Sequence, residues 1–148
     1  MVTELRETRI MGIDYGEKRI GIALSDPTKT FAYSFDTFNN DKNLNDKILN
    51  LVEEKNVIKI ILGLPSKNYK SSKLLAEKVI KIKYTLENRT KIEIVLWDEE
   101  YSSVIAKEKI LESVSKKSKR KNKGIMDSFS AAVILQEYLD SGQNARSS

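Results

Sequence analysis

The side chains of this 148-residue chain that could bind a metal ion or activate water are almost all carboxylates, because histidine and cysteine are both absent. Without an imidazole or a thiolate there is no structural zinc site, disulfide, Ser-His-Asp arrangement, cysteine nucleophile or histidine base. Oxygen donors suit magnesium or manganese, hard cations that commonly accompany phosphates. Tyr, Ser and Lys remain available as catalysts.

Three acids stand where chemistry could use them. Asp14 ends an apolar tract in GIDYG, although a strand-end or turn aspartate accounts for it equally well. Asp98 or Glu99, in WDEE, follows the apolar tract IEIVL, at the carboxyl edge where open α/β sheets bind ligands. An acidic solvent-facing turn is the plainer alternative. Asp127 precedes the apolar run of the last helix, where an aspartate can also serve as a helix cap. If the fold gathers Asp14, Glu99 and Asp127, they would neutralise and position divalent ions, with Asp98 a supporting residue beyond them. The chemistry expected of such a centre is phosphodiester hydrolysis by two Mg²⁺ ions about 3.5–4 Å apart.

The basic residues are segregated. Lys and Arg total 26 against 21 Asp and Glu, a net charge of +5. Residues 55–91 and 116–123 together carry +14, leaving −9 on the remainder, a distribution that permits nucleic-acid binding. Lys18 and Arg19 lie close in sequence to Asp14, and Arg19 can grip a phosphate through two N–H groups. Lys67, Lys70 and Lys73 form a second candidate patch. In KKSKRKNK, Lys116, Lys117, Lys119, Arg120, Lys121 and Lys123 place six cations in eight positions. Such a tract suits salt-dependent phosphate capture, with a solvated loop as the alternative. Tyr15, Tyr69 and Tyr101 are candidates for base stacking or for ordinary packing, whereas Trp97 reads as core.

The elements that must position these groups follow from periodicity. RIMGIDYG and RIGIALSD read as a strand pair and FAYSFDTF as a third strand. Leu44, Ile48, Leu51 and Val52 give a helical stripe from about Asp41 to Lys55. VIKIILGLP is a strand ended by Gly63 and Pro65. A helix follows with Ser71 or Ser72 as cap, then a strand over 92–97 and a helix from roughly Ser102 to Val114. After the basic tract and Gly124, the run IMDSFSAAVILQEYLD favours a final helix. The expected fold class is α/β: one domain over 1–148, core about 9–140, with a mixed sheet flanked by helices. No run of 18 apolar residues occurs and the opening MVTELRETR mixes both charges, so neither a membrane span nor a signal peptide is expected, and the cytoplasm is the natural location.

GIDYGEKRIGIALSDP, ILGLP, WDEEYSS and MDSFSAAVILQEYL, taken together over most of the chain, resemble the YqgF/RuvX family of 16S rRNA-processing nucleases. The resemblance implies an RNase H-like fold, also Holliday junction resolvase-like, with a mixed five-stranded sheet. It implies a divalent-metal centre matching Asp14, Glu99 and Asp127 residue by residue, with Mg²⁺ (or Mn²⁺) as cofactor. The implied partner is nucleic acid, in precursor 16S rRNA or pre-ribosomal particles, cut during 5′-end maturation. Two departures stand out. Glu100 occupies a position where the family commonly has arginine, and SKNYKSS replaces an Asp-Gly pair after GLP. The competing expectations are a DNA-junction endonuclease and a noncatalytic nucleic-acid-binding domain. GIDYG is also similar to the first phosphate segment of actin-like ATPases, which need two related domains around the nucleotide. No Walker motif is present.

Overall fold

The two apolar tracts at the start of the chain form β1 (Arg9–Tyr15) and β2 (Arg19–Ser25), paired antiparallel with Asp14 opposite Gly21. In this computed structural model residues 7–64, 70–98 and 123–142 are described, without the side chains of 70–72 and 123–127. The expected helix at 102–114 lies outside those residues. β3 (Ala32–Asn39) pairs antiparallel with β2, and β4 (Val57–Leu64) and β5 (Glu93–Asp98) extend the sheet in parallel from β1. The result is the expected mixed five-stranded sheet, and its strand order is β3-β2-β1-β4-β5.

Strand alternation divides the core in two. Met11, Ile13, Ile60, Leu62 and Ile94 face one side, where α1 (Leu44–Glu54) and α2 (Lys70–Arg89) cover them with Ile48, Leu51, Val79, Ile82 and Leu86. Ile10, Ala23 and Ile61 face the other side, covered by α3 (Lys123–Asp140) through Ala131, Ala132, Leu135 and Tyr138. The predicted stripe Leu44, Ile48, Leu51 and Val52 is the buried face of α1. That helix starts after Asp41, whose carboxylate accepts the Asn43 N–H at 2.9 Å and whose carbonyl accepts the Leu44 N–H at 3.1 Å, closing a turn first.

Two expected boundaries shift. α2 begins at Lys70, so neither Ser71 nor Ser72 stands before it as a cap. α3 begins at Lys123, which makes Gly124 a helical residue and not a separator, and leaves Asp127 inside the helix and not at its cap. Apolar packing of the following stripe outweighs the roughly 1 kcal/mol cost of helical glycine.

The connection from β2 to β3 is organised by one carboxylate. Asp26 Oδ1 accepts the Thr30 and Phe31 N–H groups at 2.8 and 2.9 Å, and its Oδ2 accepts the Thr28 hydroxyl. Partial burial alone would raise the Asp26 pKa, but the Phe31, Thr28 and Thr30 hydrogen bonds outweigh it and hold the carboxyl below its ordinary value. A depressed folded pKa contributes stability that is present above the ordinary carboxyl pKa, about 4, and is lost as pH falls through the folded value. Asp26→Ala is therefore expected to cost about 1 kcal/mol at pH 7. The gap between urea melts of the two proteins should narrow as pH falls below the ordinary carboxyl value; an equal gap at pH 7 and in acid would contradict this role.

Candidate active site

Alternation along β1 decides which way Asp14 points. Met11 and Ile13 belong to the α1–α2 core and Ile10 to the α3 core, so the row Ile10, Gly12, Asp14 faces α3. Asp14 stands half-buried at the carboxyl end of the strand. Its partner across β2 is Gly21, and on β4 the residue after Leu62, the partner of Ile13, is Gly63. The positions directly beside Asp14 on both adjacent strands are therefore glycines.

α3 crosses this face with its direction reversed relative to β1. Near its carboxyl end, the Gln136 side-chain oxygen accepts the Ala32 N–H at 2.9 Å, where β3 begins, and Lys59 Nζ reaches the Tyr138 hydroxyl at 2.8 Å, where β4 begins. Midway, Ala131 and Leu135 lie against Gly12, where an added Cβ would sit 2.8 Å from both the Ala131 carbonyl oxygen and Leu135 Cβ. Position 127 precedes Ala131 by one turn on the same stripe, toward the end of β1 that carries Asp14. One helical turn advances about 5.4 Å and two strand residues about 6.6 Å. From their common contact at Gly12, positions 14 and 127 are therefore displaced by similar distances in the same sense.

The other acids separate. Asp98 pairs with Leu64, in the row Ile94, Leu96, Asp98 that faces α1 and α2, so it does not share a face with Asp14. This corrects its expected supporting role at the metal centre: one residue of strand alternation turns it to the far side. Glu99 and Glu100 lie outside the described residues. Trp97, in contrast, faces α3, donates from Nε1 to the buried Glu137 carboxylate at 3.4 Å and meets the Tyr138 ring edge-on at 5.7 Å. The expectation that Trp97 is a packing residue holds. Among the described side chains no group of three acids gathers.

Of the basic candidates, Arg19 shares Asp14's face, because it precedes Gly21 by two residues on β2. Lys18 stands exposed in the turn, where its carbonyl accepts the Asn40 N–H at 2.9 Å and Asn40 Nδ2 donates to the Gly16 carbonyl at 2.9 Å. Gly16 is required there: a Cβ would lie 2.5 Å from the Arg19 carbonyl oxygen. Lys70 and Lys123 are the first residues of α2 and α3. Lys67, Lys116, Lys117, Lys119, Arg120 and Lys121 lie outside the described residues.

The sequence reading missed two structural roles. Gly12 admits α3 to the sheet, for which the i, i+4 spacing of Ala131 and Leu135 was the available signal. Lys59 is a buried cation; burial alone would lower its pKa, but the Tyr138 hydroxyl and the Glu93 carboxylate, 3.4 Å away, outweigh that and raise it. Its place in an alternating apolar run gave no warning of such partners.

A carboxylate at this sheet edge, Asp14, with Arg19 on the same face, is of a chemistry that fits a hard divalent cation and a phosphate group. Residues 8–141 match the family model described as RuvX: Holliday junction resolvase. A protein of Caldanaerobacter subterraneus subsp. tengcongensis named "Putative pre-16S rRNA nuclease" is 35% identical over 139 residues, covering 93% of this chain and 99% of that protein. One of the same name from Acetivibrio thermocellus is 39% identical over 137 residues, covering 90% and 96%. Among solved structures, Thermus thermophilus RuvC in complex with Holliday junction substrate superposes with a TM-score of 0.65 at 10% identity, covering 92% of this chain and 96% of that one. The yeast mitochondrial Holliday junction resolvase Ydc2 gives 0.51 at 14% identity, covering 94% and 85%. The structural likeness shows the RNase H-like fold, and the family match with these relatives shows that the chain belongs to the RuvX family of nucleases, enzymes acting on phosphodiester bonds.

Proposed function

We propose that the chain is a magnesium-dependent nuclease that cuts precursor 16S rRNA during maturation of its 5′ end, in the cytoplasm. The observation that carries the metal site is the reversed packing of α3 on β1, which directs position 127 toward Asp14. Asp14, Asp127 and Glu99 would hold the ions; manganese, also a hard cation, could replace magnesium. When bound, the ions would supply Lewis-acid activation of water and neutralise charge at the scissile phosphate. Arg19, on the face of Asp14, would orient that phosphate, and Lys18 would hold the backbone beside it. Lys67, Lys70 and the tract Lys116, Lys117, Lys119, Arg120, Lys121 and Lys123 would gather the polyanion. The RNA assignment follows the names of the relatives.

A DNA junction is the second reading, favoured by the description of the family model. The two part experimentally: with Mg²⁺ supplied, wild type should cleave precursor 16S rRNA faster than a four-way DNA junction, and the opposite preference would reverse the assignment. Replacing the six cations of 116–123 by glutamine should weaken RNA binding and flatten its salt dependence by about 0.7 in log–log slope for each phosphate no longer neutralised. An unchanged slope in a fluorescence titration would remove the tract from the substrate path.

A further inference from the structure

The face of the sheet opposite Asp14 carries a cleft of about 510 Å³, bounded by the end of β1, the start of α1 and the middle of α2. We propose that this cleft binds a single-stranded segment of the polynucleotide substrate, one that passes around the β1–β2 turn from the cutting face. The inference rests on the nuclease reading for the identity of the polymer, but not on the metal ligands.

Tyr15 follows Asp14 directly and so turns to the opposite side. Half-buried, it packs against the α1–α2 core and lines the cleft, presenting an aromatic surface. Lys78 and Lys81 stand exposed on one stripe of α2, and Lys42 is exposed beside the start of α1. Asn45 adds an amide that can read base edges, and Asn40, whose Nδ2 is engaged by the Gly16 carbonyl, adds its amide oxygen. An aromatic platform with lysines along its wall is the pairing that holds single strands, through stacking and phosphate attraction. Two acids also line the cleft, Glu17 and Asp41. Asp41 already accepts the Asn43 N–H and lies 4.0 Å from Lys47, and Glu17 stands exposed in the turn. The three cleft lysines outnumber the two acids, of which Asp41 has Lys47 beside it, so the lining carries a net positive charge. Because Asp14 and Tyr15 are consecutive, a strand held in the cleft would be tethered next to the scissile bond.

The test is fluorescence anisotropy of a labelled single-stranded 12-nucleotide RNA with the full chain in EDTA, which measures binding without cleavage. Lys78→Gln/Lys81→Gln should bind about tenfold more weakly, with a log–log salt slope smaller by about 1.4. Tyr15→Leu, which keeps an apolar side chain against the core, should weaken binding about fivefold or more. Lys55→Gln/Lys91→Gln removes the same charge at the edge where β4 and β5 begin, and should change binding less than twofold. Wild-type affinity and slope in the Lys78/Lys81 variant would overturn the proposal, as would an equal loss in the Lys55/Lys91 control. Asp14→Asn separates this from the nuclease reading: undiminished cleavage by that variant would reject the metal site, whereas the cleft stands or falls on the EDTA titrations.

Discussion

Asp14→Asn is expected to reduce Mg²⁺-dependent RNA cleavage by about 10²–10⁴-fold while leaving the fold and RNA affinity near wild type. The substitution keeps side-chain size at a half-buried position one residue before the end of β1, so little packing changes. It removes one negative charge from the site expected to hold divalent cations. Metal activation is worth several kcal/mol, and each 1.36 kcal/mol is tenfold in rate. The measurement is a single-turnover time course with saturating enzyme over a range of Mg²⁺ concentrations, beside a thermal melt of each protein. Recovery of the wild-type rate at high Mg²⁺ would show that Asp14 governs metal affinity alone. A wild-type rate at low Mg²⁺ would remove Asp14 from the centre. The companion variant Asp98→Asn should leave cleavage within about threefold, since that carboxylate faces α1 and α2 and surface changes of this kind are small in energy, about 0.5 kcal/mol.

Much of this arrangement was legible in the chain because the core residues fall in compact apolar runs and one clear helical stripe. Ile10 to Ile13, Ile20 to Leu24 and Ile60 to Leu62 are wholly buried runs typical of central strands, and the Leu44, Ile48, Leu51, Val52 stripe admits one helical face. The five strands and α1 follow from those patterns, and β3 reads as a strand despite its exposed Phe35 and Asp36 because aromatic and β-branched residues are concentrated there. What local patterns could not supply was direction across the third dimension. Asp98 and Asp14 look equivalent as acids closing apolar tracts, yet the register Leu64–Asp98 and Asp14–Gly21 assigns them to opposite faces. The start of α3 was misread for a related reason: Gly124 looks like a breaker in isolation, whereas the long apolar surface from Ala131 to Tyr138 carries the helix back through it. Asp127 is thereby removed from the cap position that gave it an ordinary explanation.

Gly12→Ala is expected to lower the melting temperature by roughly 3–10 °C and to slow cleavage by about 10²-fold, although it touches no carboxylate. The new Cβ would fall 2.8 Å from the Ala131 carbonyl oxygen and from Leu135 Cβ, neither of which a rotamer change can move aside. Such overpacking costs about 1–3 kcal/mol, and at this chain length each kcal/mol shifts the melt by about 2–4 °C. The relief available is for α3 to lift from β1, which carries position 127 away from Asp14, and a displacement near 1 Å can cost about 10²-fold in rate. Leu135→Ala added to Gly12→Ala keeps both close atoms, the Leu135 Cβ and the Ala131 carbonyl oxygen, so it should not restore activity. Gly142→Ala supplies the contrast. Its φ of 82° strains an alanine, yet among the described residues nothing lies within 4 Å of the added carbon, and it stands beyond the far end of α3. It should lose about 1 kcal/mol of stability with cleavage intact below the melt. A Gly12→Ala protein that melts early but cleaves at the wild-type rate would mean that the strand–helix contact supports the fold without setting the distance between the two acids.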